Sequence, residues 1–109
     1  MKTLVDFIKE SGMDNHFNDR YKKFSYEWCS EVVKYYGEIY FENNFKASEL
    51  NQEFEDIAEN KENARSYQKL FDFIVDDEEL HIKESELKSK KNVENLKQAI
   101  IDWAIEMLD

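Results

Sequence analysis

Residues 13–41 read MDNHFNDRYKKFSYEWCSEVVKYYGEIYF, and their spacing decides the fold. Met13, Phe17, Tyr21, Phe24, Trp28, Val32, Tyr35 and Ile39 recur every three or four residues. At about 100° per residue they make one stripe along a helix. Cys29, Val33, Tyr36 and Tyr40 make a second stripe beside it. A strand repeats every second residue and would scatter these side chains over both faces. The spacing predicts a long helix from 13 to 39 with Trp28 at its buried centre. Gly37 is expected to end or weaken it, leaving 38–42 either helical or a short strand, with helix preferred.

The same period recurs on either side. Leu4, Phe7 and Ile8 predict a short first helix capped by Thr3 and closed by Gly12. Leu50, Phe54, Ile57 and Ala58 predict a third helix capped by Ser48. A turn or kink is expected near Asn60 and Lys61, before a fourth helix carrying Ala64, Tyr67, Leu70, Phe71, Ile74 and Val75. Residues 80–83 are open between strand and helical turn, and Lys88 to Lys91 reads as a solvated connection. Val93, Leu96, Ile100, Trp103, Ala104 and Met107 mark the main face of a last helix capped by Asn92. Ile101, Ile105 and Leu108 widen its apolar arc, so it should meet more than one neighbour.

The 109 residues contain no Pro and two Gly. Turn-rich β folds need those residues at their corners. The expected fold is therefore all-α, a compact bundle of about five helices in one domain, 1–109. The strand options at 38–42 and 80–83 leave room for a very short strand pair. Eight Phe, six Tyr and two Trp separate the chain from disordered acidic tails. The single cysteine, Cys29, excludes an internal disulfide and suits a reducing compartment. Asp6, Lys9 and Glu10 interrupt any signal-peptide core, and no apolar run reaches the ~18 residues of a membrane span. A cytoplasmic protein is expected, in the host cytoplasm if a phage encodes it.

Charge is the strongest functional signal. The net charge is -10, and two blocks hold the excess: residues 38–62 have 8 acids and 2 bases, residues 72–86 have 7 acids and 1 base. A field of that sign repels nucleic acid and anionic membrane and attracts a basic protein surface. Glu49, Glu53 and Asp56 flank one side of the Leu50-Phe54-Ile57 stripe, and Glu59 lies on the other. Asp76, Asp77, Glu78 and Glu79 form the second cluster. With Tyr26 and Tyr40, which lie off the main stripe and would offer low-entropy aromatic anchors, these are the candidate partner-binding residues. The plainer account of the acids is a solvated face that aids solubility.

Other constellations fall short of chemistry. Glu78-x-x-His81 has the spacing of one di-iron half-site, but a second such motif is missing. Residues 76–87 lack the Gly and the terminal Glu of a calcium loop. Cys29 lacks a His partner nearby in sequence. The basic clusters at Arg20, Lys22 and Lys23 and at Lys88, Lys90 and Lys91 are outweighed by net charge as nucleic-acid contacts. No catalytic residue, metal or cofactor is expected, and the chain reads as a non-enzyme.

In size, acidity and helical character the chain resembles bacterial immunity proteins and phage-encoded inhibitors of defence enzymes. The likeness is one of composition and carries over no residue. It implies a small acidic inhibitor, of anti-defence or anti-CRISPR-like or toxin-immunity-like character, whose carboxylates imitate DNA phosphates on a nuclease or other nucleic-acid-binding effector. A helical adaptor or homodimeric scaffold, built on the wide arc of the last helix, is the alternative. A small-ligand sequestering protein is a further one.

Overall fold

The computed structural model describes residues 25–59, 62–76, 82 and 84–108. Within them the chain forms five helices: α1 (Tyr26–Asn44), α2 (Ala47–Ala58), α3 (Arg65–Val75), α4 (Glu84–Leu87) and α5 (Lys90–Leu108). No strand occurs among the described residues, so the fold is all-α and the strand reading of 38–42 gives way to helix. The first predicted helix, Met13 to Phe24, the Asn60-Lys61 turn and residues 77–81 lie outside the described residues.

The helix predicted from 13 to 39 is seen from Tyr26, with Ser25 as its cap. The Ser25 backbone is extended (φ -86, ψ 166), and its side chain accepts the Trp28 N–H at 3.2 Å. A serine that competes for the free N–H groups of a first turn starts a helix more readily than it continues one. Gly37 does not end α1, which runs on for seven residues beyond it. The helix stops where Phe45 turns extended, with its N–H still bonded to the Phe41 carbonyl.

Two other caps differ from expectation. Helix α2 begins before Ser48: Lys46 is its cap, and Glu49 accepts the Lys46 N–H at 3.2 Å. Helix α5 begins before Asn92: Ser89 accepts the Asn92 N–H at 3.4 Å, while the Asn92 side chain reaches back to the Glu86 carbonyl at 3.0 Å. The connection expected at 88–91 is accordingly shorter, and the one-turn α4 precedes it.

Helix α5 is the centre of the assembly, touching α1, α2, α3 and α4. That follows from its wide apolar arc: Leu96, Ala99, Ile100, Ile101, Trp103 and Ala104 are all buried. Ile105 and Met107, read as part of that arc, are instead about half exposed. Helix α1 contributes Trp28, Cys29, Val32, Val33, Tyr36 and Phe41 to the same core. Helix α3 adds Tyr67, Leu70 and Ile74, and α2 adds Phe54 and Ile57. Each large side chain so buried stabilises the fold by ~1.5–3 kcal/mol before entropy is charged against it.

Candidate functional site

The predicted acidic residues divide by role. Glu49 is exposed at the first turn of α2, where it bonds the backbone of its own cap. A carboxylate there also faces the positive end of the helix dipole. Glu53 is half-buried against α3 and accepts a hydrogen bond from the hydroxyl of Ser66, which is 2% exposed. Burial pushes the Glu53 carboxyl up, neighbouring Asp56 and Glu49 push it further, and Arg65 pulls it back. Glu53 thus belongs to the α2–α3 junction as much as to the surface. Asp56 receives the Gln52 amide at 3.0 Å. Glu59 and Asp76 are exposed and close α2 and α3. Asp77, Glu78 and Glu79 lie outside the described residues.

Of the two proposed anchors, Tyr40 is core. It is 8% exposed, and its ring lies within 6.0 Å of those of Phe41, Phe45 and Phe73. It sits on the second stripe with Cys29, Val33 and Tyr36, and the helix buries both stripes. Tyr26 is exposed at 37%, but its hydroxyl is committed, donating to Asp102 of α5 at 2.5 Å. That bond, ahead of burial, raises the hydroxyl to about 12.

Four carboxylates are held by amides placed one helical turn earlier. Asn51 donates to Glu55, Gln52 to Asp56, Gln68 to Asp72 and Gln98 to Asp102, at 2.9–3.2 Å. A Lys at those positions would order the carboxylate and cancel its charge; an amide orders it without itself supplying a positive charge. None of the four longer helices has a basic residue in its last turn, where cations would be favoured by ~0.3–1 kcal/mol. The last turns of these helices thus forgo the cations that the dipole would favour.

Helix α1 adds an acidic face that motif reading missed. Glu27, Glu31, Lys34, Glu38 and Glu42 are spaced by three or four residues and line its outer side. The signal was the same periodicity that marked the core, applied to the polar positions.

Between α1, α2 and α5 this face borders a surface groove of about 470 Å³. Phe41, Leu50, Phe54, Trp103 and Met107 supply its apolar lining. Trp103 meets Phe54 edge to face at 5.3 Å and Phe41 at 5.4 Å, so the deepest part is a rigid aromatic junction. Lys34, Glu38, Glu42 and Glu106 supply the charged rim. Among the described residues no hydrogen bond or ion pair engages Glu38, Glu42 or Glu106. Among the described residues, too, no group of three potential ligands could hold a metal ion, and no helix is long and apolar enough to cross a membrane. Cys29 is fully buried, and burial raises its thiol to about 12, which disfavours the nucleophilic thiolate.

Comparison with protein-family models, with curated proteins and with solved structures finds no match for this chain.

Proposed function

We propose that this chain is a small, non-enzymatic, cytoplasmic inhibitor that binds a basic, nucleic-acid-binding surface of a target protein, its carboxylates standing in for phosphates. The observation that carries the reading is that Glu55, Asp72 and Asp102 are each ordered by an amide one turn earlier, which holds negative charge in place where a cation would neutralise it; the Lys97–Glu62 ion pair at 3.4 Å is a different arrangement, between α5 and the α2–α3 connection. On α2, Glu49, Glu55, Asp56 and Glu59 lie away from the buried stripe, four charges along ~15 Å of axis, against one phosphate per ~3.4 Å of a DNA strand. The densities are of the same order. A target channel evolved for phosphates would meet this surface with fast, salt-sensitive association. A nuclease of a defence system or a secreted toxin is the kind of effector that presents such a channel.

The test is affinity capture from the native cell, or from its host, in low salt, followed by association kinetics across a salt series. Association with the captured protein should slow steeply as ionic strength passes ~0.15 M, and the complex should exclude nucleic acid. A captured partner whose association rate ignores salt, or which still binds nucleic acid in the complex, defeats the reading.

A second reading, a homodimeric or adaptor module, draws support from Ile105 and Met107, half exposed near the end of α5. Sedimentation equilibrium separates the two: a concentration-dependent dimer lost in Ile105→Gln favours the module.

A further inference from the structure

We infer that the groove between α1, α2 and α5 docks a basic amphipathic helix of the target, with apolar side chains seated over Trp103 and Phe54 and Lys or Arg side chains laid against Glu38, Glu42 and Glu106. This deepens the inhibitor reading and rests on it for the basic character of the partner.

Three observations select that occupant. The first is charge: the rim presents three carboxylates and one ammonium, and the three carboxylates are uncommitted within the described fold. A basic segment gains from all three, whereas an acidic one is repelled. The second is the lining. Phe41, Phe54 and Trp103 are almost wholly buried, and Leu50 and Met107 flank them with more exposed surface. The groove therefore has a firm floor and adaptable sides. Methionine suits such a position because its unbranched side chain repacks around different partners. The third is the backbone. The groove walls are helices, whose N–H and C=O groups bond within themselves away from the ends. A peptide that binds by strand addition needs a free sheet edge, and no strand exists among the described residues. A helix presents its side chains alone and needs no such edge.

The dimensions agree. Lys34, Glu38, Phe41 and Glu42 follow one side of α1 from the first to the last of nine residues, a length of ~12 Å. That matches two turns of a docked helix, with anchors at i, i+4 and i+7.

The probe is a synthetic helical peptide of Lys and Ala with Leu at i, i+4 and i+7, titrated calorimetrically into the full chain. A second peptide carries Gln in place of each Leu at the same charge. A third keeps the Leu residues and carries Gln in place of each Lys. Binding by the first should exceed binding by either control by about tenfold or more, the scale of a buried apolar anchor. Met107→Gln and Leu50→Gln, each checked for retained helicity and cooperative unfolding, should weaken the first peptide by a similar factor. Ile105→Gln, outside the groove, should not. In a Trp28→Phe background the peptide should shift the emission of Trp103.

If the second peptide binds as tightly as the first and both groove variants are silent, charge alone binds and the groove is not the docking site, while the inhibitor reading survives. If the third binds as tightly as the first, the partner is not basic at this site and the inference falls. A wild-type dimer that Met107→Gln dissociates makes a second copy the occupant and also overturns it. If the first peptide binds at the groove as described but no basic target is captured, the docking site stands and the inhibitor reading falls. Binding of none of the peptides overturns the inference.

Discussion

A Cβ placed on Gly37 would lie 2.7 Å from Cζ2 and 2.8 Å from Cη2 of Trp103, so the indole fills the space that any other residue at position 37 would need. Gly37→Ala tests which of two effects wins. Ala favours the helix by ~1 kcal/mol over Gly. Overlap at 2.7 Å forces a shift, and overpacking costs ~1–3 kcal/mol. Trp103 is held between Phe41 and Phe54 and has little room to yield. Net destabilisation is expected in urea unfolding. A raised midpoint would show that the indole moves freely.

Trp28 tests the core at the other end of α1. It is 7% exposed and follows the capping Ser25 by three residues. Trp28→Ala should cost ~3–5 kcal/mol, which a domain of ~5–15 kcal/mol total stability survives barely or not at all. Wild-type stability in the variant would mean that the start of α1 does not pack as described.

Glu53 separates folding from binding within the acidic cluster. Its carboxyl is raised above the usual 4.5, chiefly by burial. The folded protein then holds this proton more tightly than the unfolded chain does. The contribution to stability is fully present below 4.5 and is lost as pH rises through the higher folded value. Glu53→Gln should abolish that pH-dependent part while keeping an oxygen for the Ser66 hydroxyl. Glu53→Lys removes the acceptor and leaves a buried hydroxyl unpaired, at ~1–3 kcal/mol. Equal stability of the Gln and Lys variants at neutral pH would show that the Ser66 contact contributes nothing.

The all-α fold and most core positions among the described residues were legible because a period of 3.6 is written directly in the apolar residues. Helix boundaries were less legible. Ser48 and Asn92 have the right chemistry for caps, but each lies two or three residues inside its helix, because Glu49 and Ser89 complete the cap from neighbouring positions. The candidate site is legible in the sequence as charge and obscure as shape. Tyr40 reads as peripheral on one stripe, yet Phe73 comes from α3 to cover it, a contact between residues far apart in sequence. The groove has the same origin: Leu50, Trp103 and Glu42 belong to three helices, and no linear pattern unites them.

Glu42 sets stability and binding against each other. It is exposed in the last turn of α1, four residues after Glu38, and no basic residue shares that turn. A negative charge there opposes the negative end of the helix dipole, and like charges at i, i+4 repel. Glu42→Lys reverses both effects and places Lys four residues after Glu, the favourable order on a helix. The fold should gain ~0.5–1 kcal/mol by urea unfolding at low salt. The same change turns a groove carboxylate into an ammonium, so affinity for the Lys- and Leu-bearing helical peptide should fall by about tenfold. A residue retained for stability would move both readouts down together. Opposite signs are expected if Glu42 is retained for a basic partner, and unchanged peptide affinity in the stabilised variant would remove Glu42 from the docking surface.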